Sequence, residues 1–119
     1  MARTLTLYGI KNCDTMKKAR AWLDAHGLAY VFHDYKTQGI DRAQLAAWCD
    51  ELGWEVVLNR AGTTIRKLPD AEKENLTQAK AIALMLAQPS LIKRPVLDLG
   101  TRRVVGFKPD IYASTFAKR

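Results

Sequence analysis

Cysteine is scarce in this chain: 119 residues carry two, Cys13 and Cys49. That excludes a disulfide framework, which a chain long enough to bury a real core does not need. Sequence alone leaves a single Cys13–Cys49 bridge open, and a reducing compartment disfavours it. Histidine is equally scarce. Neither His26 nor His33 stands where it would complete a metal site with the cysteines, so no metal is expected. No apolar run approaches the roughly 20 residues of a membrane span. The opening MARTLTLYGI lacks the apolar stretch and small-residue cleavage site of a secretory signal. The expectation is a cytoplasmic monomer without membrane contact. Acidic residues also fall short, with 12 Asp and Glu against 19 Lys and Arg and a net charge of +7. The basic residues form no run and match no nucleic-acid module, so nucleic acid is not expected as a partner. The surplus reads instead as a field that gathers carboxylates or an oxyanion.

What is present reads as one α/β domain spanning residues 1–119, free of repeats, low-complexity tracts and obvious linkers. Leu5 to Ile10 has the make-up of a buried strand. A polar turn, Lys11-Asn12-Cys13-Asp14-Thr15, leads into a helix to about His26. Its inward face is Met16, Ala19, Leu23 and His26, and Gly27 is its stop. Tyr30 to Tyr35 reads as a second strand, parallel to the first because a helix joins them. Asp41 and Gln44 form a capping box for a helix through Leu52. Residues 54–76 read as irregular. Thr77 caps a helix to about Ala87, beyond which Pro89 blocks continuation. Val96 to Leu99 and Val104 to Phe107 read as a hairpin, and Pro109 opens a last helix. The order β-α-β, helices, β-β-α is that of a thioredoxin-like (glutaredoxin-type) mixed four-stranded sheet with an all-helical insert at about 41–88.

Cys13 is the candidate catalytic residue. It falls between a strand and the helix that strand feeds, where unpaired backbone N–H groups and the positive end of the helix dipole favour thiolate over thiol. Lys11, Lys17, Lys18 and Arg20 add positive charge against one carboxylate, Asp14, and thiolate is the reactive form. Asn12 and Thr15 can donate hydrogen bonds to the sulfur or to a ligand. Cys49 follows Trp48 in an amphipathic helix without a cationic cluster and reads as packing. A dithiol oxidoreductase would carry Cys-x-x-Cys, but the fourth position here is Met16. An external thiol must therefore resolve any mixed disulfide on Cys13, and glutathione is the abundant one.

The run Tyr8-Gly9-Ile10-Lys11-Asn12-Cys13-Asp14-Thr15, followed by Lys17-Lys18-Ala19-Arg20-Ala21-Trp22-Leu23, resembles the ArsC/Spx family, and within it the YffB-like branch. Leu52-Gly53-Trp54, Ile92-Lys93-Arg94-Pro95 and Gly106-Phe107 extend the resemblance over nearly the whole chain. It implies a thioredoxin-like domain with a helical insert, a single catalytic cysteine and a glutathione-dependent thiol reductase. Glutathione would be a cosubstrate, with no bound cofactor. Arsenate reductase and an Spx-like regulator that binds RNA polymerase are the alternatives, with glutaredoxin a further possible partner. In the arsenate reductases three arginines surround the cysteine. Arg94 falls on one of these positions, and Pro95 falls where such folds place a cis-proline. Arg60 lies near another, but one residue out of step within Asn59-Arg60-Ala61-Gly62-Thr63-Thr64. In an extended segment that step would turn it to the opposite side, and Arg66 is the alternative. No arginine stands at Gly106-Phe107, the third position, although Arg102 and Arg103 just precede it. The expected ligand-binding set is Lys11, Asn12, Asp14, Thr15, Arg60, Arg94 and Pro95.

Overall fold

A computed structural model describes residues 5–11 and 13–117. The chain forms two compact units: residues 1–34 with 94–119, and residues 35–93.

The first unit is built on a four-stranded sheet of order β2-β1-β3-β4, with β1 at Leu5–Gly9, β2 at Tyr30–Asp34, β3 at Val96–Asp98 and β4 at Arg103–Val105. β1 and β2 run parallel, in register from Leu5 opposite Tyr30 to Gly9 opposite Asp34. β3 runs antiparallel to β1 and pairs with β4 as a hairpin. Alternation along β1 sends Leu5 and Leu7 to one face. There they pack with Met16, Ala19 and Leu23 of α1 (Asp14–Ala25), with Leu97, and with Tyr112 of the last helix (Pro109–Ala117). Tyr8, on the alternate side, meets His33 across the β1–β2 register, with ring centroids 4.7 Å apart.

α1 stops at Gly27, whose φ of +67° a side chain rarely adopts, and the Leu28 N–H turns back to the Leu23 carbonyl. The expected inward face holds for Met16, Ala19 and Leu23 but not for His26, which is exposed. His26 caps the helix instead, its ring stacked 3.8 Å from the Trp22 ring and Nδ1 2.8 Å from the Trp22 carbonyl oxygen. A polar ring at the helix end keeps more by stacking beside water than by burial.

The second unit is helical. α2 spans Tyr35–Gln38, so Tyr35 opens a helix instead of closing the strand. α3 spans Arg42–Leu52, capped by the Asp41 carboxylate, which accepts the Gln44 N–H at 2.7 Å. Residues 54–76 are not irregular throughout. They hold three single-turn helices, α4 at Trp54–Val57, α5 at Thr63–Arg66 and α6 at Asp70–Lys73. One turn is too short to show a 3.6-residue repeat, which hid these turns in the sequence. Their inward side chains, Val57 and Ile65, are buried, as are the connecting Leu58 and Leu68. α7 spans Gln78–Ala87 with Thr77 as its cap, a 3₁₀ turn follows at Pro89–Leu91, and the last helix, Pro109–Ala117, is α8.

Charge divides unevenly between the units. Residues 1–34 and 94–119 carry eleven of the basic and five of the acidic residues, against eight and seven in residues 35–93. Among the described residues no helix is long and apolar enough to cross a membrane, and no group of His, Cys, Asp or Glu is placed to hold a metal.

Candidate functional site around Cys13

Cys13 is the N-cap of α1, with extended backbone (φ −137°, ψ 129°). Its carbonyl already accepts the Lys17 N–H at 3.0 Å, so the helix starts at this residue. An N-cap side chain faces the N–H groups two and three residues on, here Thr15 and Met16. The sulfur forms no closed cap hydrogen bond with them. Both amides nevertheless act on it. Partial burial, the largest influence, pushes the thiol up. The Met16 N–H, the Arg94 side chain, the Thr15 N–H and the Arg94 charge together outweigh it, so the thiol lies below its ordinary value.

Cys49 has the opposite setting. It is free like Cys13, but buried at 2% exposure in α3, and both burial and the neighbouring Asp50 carboxylate push its thiol up. One cysteine is held toward thiolate and half exposed. The other is held neutral and covered.

The first unit brings several expected residues to one end of the sheet. Thr15 and Arg94 act on the sulfur directly. Asp14 is the exposed first residue of α1. Pro95 is buried and joined to Arg94 by a cis peptide bond. Proline has no N–H, and the Pro95 carbonyl already accepts the Gly106 N–H at 2.8 Å. Pro95 itself therefore cannot supply a strand-like pair of hydrogen bonds to a ligand. Lys11 is exposed, and Asn12 lies outside the described residues.

The cationic cluster narrows to one member. Arg94 is the cation that lowers the thiol; Lys11, Lys17 and Lys18 are exposed and none of them is among the groups that shift it. Arg20 is engaged about two turns along the helix, its Nε donating to the Tyr30 hydroxyl at 3.2 Å and its guanidinium 5.1 Å from the Phe32 ring centroid. Arg103 forms an ion pair with Asp98 at 3.6 Å within the hairpin.

Arg60 belongs to the helical unit, where it is exposed, with its guanidinium 5.9 Å from the Trp54 ring centroid. The segment is not extended, so strand alternation does not orient Arg60. It bends where the Asn59 carboxamide oxygen accepts the Ala61 N–H at 3.3 Å, a side-chain-stabilised turn. Arg66 lies in α5 and donates to the Ala61 carbonyl at 3.1 Å.

Met16 contributes although its residue type does not announce it, since methionine suggests only core. The signal was its place in the helix: three positions after an N-cap, the main-chain N–H points back whatever the side chain.

Comparison with known proteins identifies the family. The sequence pattern of the ArsC family matches residues 8–115. A protein of known structure called YFFB is 69% identical, with 93% of this chain and 97% of that one covered at a TM-score of 0.91. An arsenate reductase (ArsC) related protein from Brucella melitensis is 53% identical, with 98% and 97% covered at a TM-score of 0.80. The global transcriptional regulator Spx of Streptococcus mutans is 30% identical over 108 residues, 89% of this chain and 78% of that protein. The sheet order is that of the thioredoxin-like fold, and by a match running from Tyr8 to Thr115 the chain belongs to the ArsC family.

Proposed function

We propose that the chain is a glutathione-dependent thiol reductase with Cys13 as its nucleophile. The observation that carries this reading is the Cys13 sulfur at the start of α1, lowered by main-chain amides and Arg94, with buried Met16 where a dithiol enzyme would hold its second thiol. In the first step the Cys13 thiolate attacks the glutathionyl sulfur of a mixed disulfide. A Cys13–glutathione disulfide forms, and the substrate leaves as its thiolate. In the second, a glutathione thiolate attacks the glutathionyl sulfur held on Cys13, giving oxidised glutathione and regenerating the Cys13 thiolate. In net, one glutathione thiol is consumed per mixed disulfide: its sulfur is oxidised by one formal electron as the substrate sulfur is reduced by one, and the transferred glutathionyl sulfur keeps its oxidation state. Arg94 supports both steps by favouring the leaving Cys13 thiolate and by offering a guanidinium to a glutathione carboxylate.

Treatment with oxidised glutathione, followed by peptide mass spectrometry, tests this. A glutathionyl adduct on Cys13 with Cys49 unmodified is expected; modification at Cys49 alone rules the reading out. Two alternatives come from relatives. Kinship with an arsenate reductase related protein favours arsenate reduction at the same sulfur. Against it stands the missing arginine at Gly106-Phe107, and an arsenate assay coupled to glutathione and glutaredoxin separates the two. Kinship with a transcriptional regulator favours a regulatory role through RNA polymerase. Capture of polymerase subunits by the chain, with no turnover of mixed disulfides, would select it.

A further inference from the structure

Gly9 is the last residue of β1, and its φ lies outside the left-handed region, so the backbone does not require glycine there. The neighbouring helix does. A Cβ on residue 9 would overlap the Met16 Sδ and stand 2.7 Å from Cε and 3.2 Å from Cγ. Carbon atoms in contact settle near 3.5–4.0 Å. The two closest atoms end a flexible side chain, so what holds them in place is the packing around them; Cγ, at 3.2 Å, must also give by a few tenths of an ångström. Met16 is fully buried among Leu5, Leu7, Ala19, Leu23, Leu97 and Tyr112, each at 2% exposure or less, and has little room to change rotamer.

We propose that Gly9 and Met16 are a positioning pair: the bare Cα of Gly9 seats the Met16 thioether, and that seat holds the first turn of α1 against the Cys13 sulfur. This rests on the reading of Cys13 as nucleophile. β1 is clamped between β2 and β3, while α1 is held to the sheet by side chains such as Met16. When the seat is filled, the helix start yields rather than the strand. The main chain of Met16 carries one of the N–H groups that act on the sulfur, and Thr15 beside it carries the other. Movement of a few tenths of an ångström in this turn therefore weakens both at once, without any change to Cys13 or Arg94.

The test is the pH dependence of Cys13 alkylation in a Cys49→Ser background, in the parent, in Gly9→Ala and in Gly9→Ala/Met16→Ala, where removal of the thioether makes room for the new methyl. The parent midpoint should lie below the free-thiol value of about 8.5. Gly9→Ala should raise it by about one unit, leaving about tenfold less thiolate well below the midpoint. The double variant should return most of the way. A Gly9→Ala protein that loses thermal stability but keeps the parent midpoint overturns the proposal, since a merely structural role would do that. A double variant that keeps the raised midpoint also overturns it. Where Gly9→Ala does not fold, a double variant near the parent midpoint supports the proposal and one at the free-thiol value sinks it. A parent midpoint at or above about 8.5 removes the nucleophile reading itself, a separate outcome.

Discussion

The two cysteines make opposite predictions about stability. The Cys13 thiol is more acidic in the folded chain than in the unfolded one. Between the two midpoints the unfolded chain binds more protons, so stability rises with pH, is fully present above about 8.5 and is lost as pH falls through the folded value. Cys49 has the reverse sign, because burial and Asp50 keep it protonated when folded. Its contribution is complete below about pH 8.5 and declines above, where the unfolded thiol ionises first. Urea midpoints between pH 6 and 10 should show Cys13→Ser flattening the rise and Cys49→Ser removing the later decline. Arg94 acts on the sulfur through both a hydrogen bond and its charge. Arg94→Gln should slow Cys13 alkylation at pH 6.5 by about three- to tenfold, and Arg94→Lys by less, since it keeps the charge but not the guanidinium fork. The place of Cys13 was legible in the sequence because a strand, a polar turn and a helix follow one another there, with Met16 in the helix's first turn. Arg94 entered through the family resemblance alone; that it, rather than a nearer lysine, is the cation acting on the sulfur among the described residues was not legible. Choosing it over Lys17 or Lys18 requires knowing that a segment some eighty residues away returns to this turn, while neighbours in sequence point to water.

Among the elements, α8 carries an internal conflict. Tyr112 is fully buried, edge-on to Trp22 at 5.5 Å and to Phe107 at 4.7 Å, and its hydroxyl has no hydrogen-bond partner among the described residues. A buried hydroxyl without a partner costs about 1–3 kcal/mol of desolvation. Tyr112→Phe keeps both ring contacts and removes that cost, so thermal denaturation should show a stabilised protein, by about 1 kcal/mol. Elements with a repeat and a cap were readable in advance. α3 and α7 begin where Asp41 and Thr77 stand, because a short polar side chain at an N-cap has a main-chain N–H to satisfy. The single-turn helices α4, α5 and α6 were not readable, since burial of Val57 and Ile65 maintains them and burial is a tertiary property. Arg60 shows the same limit: only the Asn59–Ala61 hydrogen bond reveals that its segment bends.

For the molecule as a whole, the positive surplus lies mainly on the unit that carries Cys13, while the helical unit is nearly balanced. Anionic reagents should therefore be drawn to Cys13 and neutral ones not. The ratio of alkylation rates by iodoacetate and iodoacetamide should fall severalfold as salt rises from about 0.01 M to 1 M, since the screening length shrinks from about 30 Å to about 3 Å. An unchanged ratio would mean that only Arg94, at contact range, matters.

Met16, sealed in the core beside Cys13, also bears on how the proposed reductase would respond to a thiol pool. A vicinal pair closing on itself consumes two soluble thiols per reduction, so its balance depends on the square of thiol concentration and shifts on dilution. A lone sulfur exchanging with a soluble disulfide trades one thiol for another. Its occupancy follows the ratio of reduced to oxidised soluble thiol in the first power and is indifferent to how concentrated the pool is.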